Sequence, residues 1–361
     1  MSDKVPAQAI WALGATQIIG YGTLYYSYSM LTPAVAKDLA WAPEWVFAVL
    51  SIALLASAVL APFAGHWADR FGAGRLMVPG SAAAATALLI CAFAPGRAGF
   101  TAGVLAMELA SCFVLYSTAF VAIVQLGGSN AQRSITHLTL IAGFASTIFW
   151  PLTAFLHDYM SWRGILTVFA ALNLLVCLPI HAWLARLAGP ARKKKVDEAA
   201  PKRENLPDGM PPAGSTVFLL MLVGFAVEGF VLSAVLVQMV PLLAAVGIGT
   251  ASVFVGTLFG PSQVASRLIN MVFGAGVRQT TLALVSTLAL AAALAVLVLT
   301  TPSVPGAVVF AILFGLGGGL MSIVGGTLPL ELFGKQGYGA RVGWMTAARQ
   351  FSSALAPFGF A

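Results

Sequence analysis

The chain has 361 residues and a formal net charge of +7; it is 59% hydrophobic and only 9% charged, with a mean hydropathy of +0.92. A soluble domain carries about 25% charged residues, so water is excluded as the solvent for most of this chain, and lipid must take its place. Backbone groups in lipid need internal partners, and apolar runs of about 20 residues without alternation make helices rather than barrel strands. The fold class is therefore an all-α polytopic membrane protein.

Span 1, residues 8–34, holds Gln17, Tyr21, Tyr25, Tyr26 and Tyr28. At regular helical spacing Tyr21, Tyr25 and Tyr28 share a face. They read either as an interfacial aromatic belt or as a cavity wall offering hydroxyls to a polar substrate; the depth of Gln17 and Tyr21 favours the wall. Lys37, Asp38 and Glu44 make the next loop. Span 2, residues 45–66, runs into a charged turn, Gly65-His66-Trp67-Ala68-Asp69-Arg70-Phe71-Gly72-Ala73-Gly74-Arg75. Its glycines allow close backbone approach, and its charges sit where helix dipoles can hold them. Span 3 (75–96) has no charge beyond Arg75, and span 4 (100–126) contains Glu108. Arg133 precedes span 5 (134–157), which holds His137, and a turn at Ser161–Gly164 leads into span 6 (164–188).

Residues 189–214 then collect Arg192, Lys193, Lys194, Lys195, Lys202 and Arg203 with several prolines. This composition reads as a charged linker, solvated or resting on a lipid surface. It divides the chain into a first half, 1–188, and a second half, 215–361. Span 7 (215–245) carries Glu228 and Gln238, span 8 (251–274) Gln263, Arg267 and Asn270, and span 9 (280–300) no charge. Span 10 (305–331) is glycine-rich. Span 11 starts near Gly339 and holds Arg349 and Gln350.

The bases fall on alternate loops: Lys4, Arg70, Arg75, Arg133, Arg186 through Arg203, Arg278, Lys335 and Arg341 on one set, and only Lys37, Arg97 and Arg163 on the other. This bias places the N-terminus and the linker in the cytoplasm, and it explains the net charge without nucleic acid. Cys91, Cys112 and Cys177 lie in apolar runs without metal-ligand spacing, so neither metal nor cofactor is expected. The N-terminal apolar run is too long and tyrosine-rich for a cleaved signal.

A charge at mid-membrane costs roughly 2.5–3.5 kcal/mol. Glu108, Glu228, Arg267 and Arg349 must therefore face a protein interior or a wet cavity. They form either two Glu–Arg pairs that hold helices together, or a polar site in which two arginines clamp a carboxylate. His137 is a proton carrier or a hydrogen-bonded packing residue. Glu228 and Glu108 are alternative proton carriers, because low dielectric favours a neutral carboxyl.

The turn Gly65–Arg75 resembles the signature loop of the major facilitator superfamily, G-x-x-x-D-R-x-G-x-x-R, with one closing base where the family usually has two or three. The resemblance implies two six-helix halves, with spans 1, 4, 7 and 10 lining a cavity and spans 3, 6 and 9 facing lipid. It also implies twelve spans, of which eleven are present, so the sequence is expected to stop one helix short. Phe273-Gly274-Ala275-Gly276-Val277-Arg278 echoes Phe71–Arg75 six spans later, without the acid. Gly65, Asp69, Arg70, Gly72 and Arg75 are then a conformational latch, with Asp69 holding the start of span 11 near Gly339–Arg341.

A finer resemblance is carried by Gly260–Arg267, similar to the D-x-x-x-R segment of span 8 in monocarboxylate transporters, with Gln263 at the acidic position. Arg133 followed by Ala142-Gly143 is similar to that family's span 5; its acidic span-1 signature is absent. Arg349 resembles the second basic ligand of oxalate/formate antiporters. These imply a secondary active transporter, in a bacterial inner membrane, for a small mono- or dicarboxylate coupled to a proton or counter-anion. Arg267, Arg349, Gln263, Tyr21, Gln17 and Tyr25 are the implied substrate residues. Efflux of drugs or metalloids is the alternative within the superfamily. A non-transporting sensor or a polytopic enzyme stands further off, since the chain has no H-E-x-x-H, Asp-rich cluster or nucleophile elbow.

Overall fold

The long apolar runs become helices whose ends fall at Gly, Pro and short polar turns. The computed structural model describes residues 5–127, 130–187, 214–274 and 276–359. Lys4, the basic linker up to residue 213 and Ala275 lie outside them, as does the side chain of Gln238. Among the described residues there is no strand.

In the first half, α1 (Ala7–Tyr21) continues through a π-helical turn (Gly22–Tyr26) into α2 (Ser27–Asp38). Then follow α3 (Pro43–Phe71), α4 (Ala73–Ala92), α5 (Arg97–Val114) and α6 (Tyr116–Leu126). Next come α7 (Ala131–Ala142), α8 (Ala145–Tyr159) and α9 (Trp162–Leu172), and a second π turn (Asn173–Cys177) leads into α10, residues 178–187. The second half has α11 (Ser215–Ala245), α12 (Ser252–Thr257), α13 (Phe259–Phe273), α14 (Gln279–Thr300), α15 (Val304–Phe333) and α16 (Tyr338–Gly359). Eight helical stretches are long and apolar enough to cross a membrane. Spans 1, 8 and 11 are not among these eight; they carry the tyrosines and Gln17, Gln263 and Arg267, and Arg349 and Gln350.

The π turn corrects the expected tyrosine face. One extra residue in the turn shifts the helix phase, so Tyr26 joins Tyr21 and Tyr25, with ring centroids 6.3 Å and 5.3 Å away. Tyr28 points elsewhere and donates to the Val46 carbonyl at 2.7 Å. The two π turns are stitched together. Asn173 Nδ2 donates to Thr23 Oγ1 and to the Phe169 carbonyl, both at 2.9 Å. Ser27 Oγ donates to the Gly22 carbonyl at 2.6 Å and lies 2.9 Å from Thr153 Oγ1.

Each half fastens its turn between second and third spans with a polar side chain from the end of its fourth. Gln125 accepts from Ala73 N at 2.9 Å and donates to the Ala68 carbonyl at 2.8 Å. Glu331 accepts from Gln279 N at 2.8 Å. The echo noted in the sequence holds at the helix ends, since α3 and α13 both stop at Phe-Gly, with Gly72 and Gly274 as C-caps. It fails beyond them: Arg75 lies inside α4, whereas Arg278 is the N-cap of α14.

The halves meet along α3 and α16, most tightly at one end of the bundle. Gly65 faces Gly339, and Gly343 packs on Ala61; a Cβ at Gly65 would collide with the Gly339 carbonyl. Asp69 Oδ1 and Oδ2 accept from Gly339 N and Ala340 N, each at 2.9 Å. A carboxylate on the first N–H groups of α16 matches both their unsatisfied donors and the helix dipole. The start of α7 reaches α15 at this same end, where Gly326 lies against Ile135 and Phe120.

At the opposite end Arg97 Nε donates to the Leu39 carbonyl at 3.0 Å. Arg163 pairs with Asp38 and donates to the Ala94 carbonyl at 3.2 Å. The Arg163 guanidinium holds the Asp38 carboxyl below the ordinary carboxylate range. These bonds tie first-half helices to one another. Among the described residues, no hydrogen bond crosses between the halves at this end.

Candidate functional site

Beyond the closed Asp69 end, aromatic side chains inside the first-half spans stay exposed on the face turned toward Arg349 of the second half. Tyr25 is 48% exposed and Trp150 46%, although both lie well inside their spans. Tyr26 stacks edge-on to Trp150 at 5.9 Å, and Trp150 Nε1 donates to the Tyr26 carbonyl at 3.3 Å. Tyr21 packs on Tyr116 at 4.6 Å, and Tyr116 stacks on Phe120 at 5.1 Å. An aromatic wall thus runs from α1 across α6 and α8.

Arg349 faces this wall from α16, within electrostatic range of Tyr21, Tyr25 and Tyr26. Its side chain is 46% exposed, and its Nε lies 3.2 Å from Oε2 of Glu228 on α11. Neither Nη has a hydrogen-bond partner among the described residues. Glu228 is buried, and its carboxylate oxygens make no hydrogen bond; the contact with Arg349 is one of charge rather than hydrogen-bond geometry. Gly229 makes the approach of α16 possible, because a Cβ there would stand 2.7 Å from Arg349 Cγ. Ser353 Oγ donates to the Gly229 carbonyl and Ser233 Oγ to the Ser353 carbonyl, both at 3.0 Å, which fixes the pair of helices around the ion pair.

Arg267 is placed differently from the expected anion clamp. It is buried, and every guanidinium nitrogen is engaged. Nη1 donates to the Thr139 carbonyl at 3.0 Å, Nη2 to Ser322 Oγ at 2.9 Å and Nε to the Gly319 carbonyl at 3.4 Å. It bridges α13 to α7 of the other half and to α15, with Gly143 leaving the room. The bond to Thr139 is the third hydrogen bond crossing between the halves among the described residues, beside the two of Asp69, and the Arg267 charge lies within electrostatic range of Tyr26 and Tyr116. Gln263 is half-buried on the same helix, beside Gly318.

Of the two expected Glu–Arg pairs, only Glu228–Arg349 forms among the described residues. Glu108 is buried and receives Ser111 Oγ at 3.4 Å. Gln17 is fully buried; its Nε2 donates to the Val114 carbonyl at 2.8 Å, where α5 breaks before α6. Its place is in helix packing, not on the cavity wall, and its Oε1 has no partner. His137 lies at the closed end in a recess with Val5, Asn130, Arg133 and Ser134, away from the cavity. Arg70 sits 5.3 Å over Phe71, and Arg75 is exposed. The structure therefore gathers Tyr21, Tyr25, Glu228 and Arg349, keeps the Arg267 charge within range of the same wall, and adds Tyr26, Tyr116 and Trp150, which spacing alone did not single out.

Two helical halves that pack along α3 and α16 and face each other across a polar and aromatic surface fit a membrane transporter. The chain belongs to the Major Facilitator Superfamily, whose profile matches residues 13–357. No curated protein matches it. Among solved structures it is similar to the human organic anion transporter MFSD10 (TETRAN), with TM-score 0.71 and 14% identity over 98% of this chain and 91% of that one. It is also similar to the proton:xylose symporter XylE bound to 6-bromo-6-deoxy-D-glucose (0.70, 11%, 98% and 88%). A third likeness is to FucP in the outward conformation (0.62, 12%, 97% and 96%). At these identities the likeness is one of fold.

Proposed function

We propose that this transporter carries a small organic anion with an apolar or aromatic body, and that Arg349 is its carboxylate ligand. The observation that carries this reading is a half-exposed guanidinium whose Nη groups have no hydrogen-bond partner among the described residues, set opposite an aromatic wall. A guanidinium fork matches a carboxylate, and tyrosine faces suit the apolar remainder. The guanidinium facing the wall favours an anion over an uncharged drug or metalloid cargo. The organic anion transporter among the structural neighbours is compatible with this reading but does not carry it, since another neighbour is a sugar symporter. The test is thermal stabilisation of the purified protein by benzoate, lactate and succinate against benzamide. Benzoate is expected to stabilise and benzamide not; equal stabilisation by the two defeats the anion reading.

We further propose that the Asp69 end faces the cytoplasm of a bacterial inner membrane, as the bases require, so that the open cavity faces outward. The monocarboxylate-transporter branch is supported by one meeting. Its span-5 pattern (Arg133, Ala142-Gly143) and span-8 pattern (Gly260–Arg267) come together where Gly143 accommodates the Arg267 guanidinium. In our reading Arg267 locks the cytoplasmic end now and is released toward the cavity when that end opens. Arg267→Ala removes one of the three hydrogen bonds that cross between the halves among the described residues, and bonds to charged groups contribute about 1.5–3 kcal/mol each. The variant is expected to open the cytoplasmic end more often, read as a roughly tenfold rise in labelling of a cysteine placed at Thr139. Unchanged labelling and normal transport would remove Arg267 from the gate.

A further inference from the structure

Resting on the anion reading, we infer that the transporter is a proton symporter in which substrate carboxylate and Glu228 compete for Arg349. Glu228 is buried on α11 without a hydrogen bond to either oxygen. Its one charged neighbour among the described residues is Arg349 Nε, 3.2 Å away. A buried carboxylate is held ionised by hydrogen bonds or by opposite charge, and here the second alone is present. No other element packed on α11 supplies a substitute. The 3-10 turn Gly249–Ala251 and α12 hold no titratable side chain. The acid of α15, Glu331, lies at that helix's far end and is taken by Gln279 N. The other charged residue of α16, Arg341, donates to the Phe333 and Gln336 carbonyls near Asp69. Across the cavity, among the described residues, stand the hydroxyls of Tyr21, Tyr25, Tyr26 and Tyr116, with the buried acid Glu108 within electrostatic range of Tyr25.

When a substrate carboxylate docks on the free Nη groups, two carboxylates share one guanidinium. Like charges on one site raise the affinity of one of them for a proton. The substrate is held by two Nη groups and retains its charge. Glu228, with one charge contact and no hydrogen bond, takes a proton from water onto a carboxylate oxygen. For a monocarboxylate the loaded site then has the same net charge as the empty one, so the bilayer is crossed without an added charge. Release of the anion returns Arg349 to Glu228, which gives its proton to water on the far side.

The experiment is calorimetric titration of the full chain with benzoate in two buffers of different ionisation enthalpy. One proton is expected to be taken up per benzoate bound near neutral pH, with affinity falling about tenfold per pH unit above the Glu228 transition. Glu228→Gln should bind benzoate with no proton uptake and a flat pH profile. In vesicles it should exchange benzoate across the membrane while failing to accumulate it against a gradient. Because the wild-type proton count needs no variant, misfolding of Glu228→Gln leaves the test intact. Benzoate binding without proton uptake, or proton-driven accumulation by folded Glu228→Gln, overturns the coupling alone. Absence of binding by any of benzoate, lactate or succinate overturns the anion reading, and the coupling with it.

Discussion

Arg349→Ala should abolish saturable anion uptake and weaken benzoate binding by about 100-fold or more. The two Nη groups offer a bidentate, charge-assisted contact, and hydrogen bonds to charged groups contribute roughly 1.5–3 kcal/mol each. Losing both removes about 3–6 kcal/mol, and each 1.4 kcal/mol is tenfold in affinity. Removing one member of a buried ion pair also strands the other. Here Glu228 escapes by taking a proton, so the variant is expected to reach the membrane folded. Arg349→Lys distinguishes charge from shape. A lysine keeps the charge beside Glu228 but lacks the planar fork, and it should recover folding fully and binding only in part. Benzoate titration of the three proteins, with Glu228→Gln/Arg349→Ala as a fourth, decides the matter. Binding by Arg349→Ala within threefold of wild type would place the anion site elsewhere.

The charged turn was legible in the sequence because its physics is local. Gly65 and Asp69 sit at the end of an apolar run, where backbone approach and free N–H groups are to be expected, and both meet Gly339. The choice between Arg267 and Arg349 was not local. Each lies mid-span, and only the partner helices decide which is consumed by carbonyls and which faces the cavity: Thr139 and Gly319 for the first, Glu228 for the second. Gln17 misled for the same reason. A deep amide reads as a site residue until the break at Leu115 presents an unpaired carbonyl, that of Val114, to receive it.

The tyrosine face failed because a regular period was assumed through Gly22–Tyr26. A π turn leaves little trace in composition, although Gly22 and the Ser27 hydroxyl that bonds back to it are consistent with one. Gln125 had a readable counterpart. Its distance from the start of α4 is that of Glu331 from the start of α14, and the Phe-Gly echo had already put the two halves in approximate register. Pairing those positions from sequence requires knowing where α14 begins, and the longer second turn obscures it.

Asp69→Asn should slow transport about tenfold or more while leaving affinity intact in protein held closed at this end. The carboxylate accepts two backbone N–H groups at the start of α16 and places a full charge on that helix's positive end. An amide keeps one accepting oxygen and loses the charge. The lost bond is charge-assisted, and a helix-end charge contributes roughly 0.3–1 kcal/mol, so closure weakens by about 1–3 kcal/mol. That shifts the closed population by roughly 5- to 150-fold. Gly65, Gly339 and Gly343 still fit together, so the closed state exists in the variant but is visited less. Substrate contacts are spared because Arg349 lies ten residues further along α16 than Gly339, about 15 Å at the helical rise. The decisive comparison is benzoate affinity in wild type and Asp69→Asn, each cross-linked between α3 and α16, beside transport rates without the cross-link. Equal affinities with unequal rates establish a latch. A hundredfold loss of affinity in the cross-linked variant would instead make Asp69 part of the binding site, and an unchanged rate would show that closure of this end depends on the glycine contacts alone.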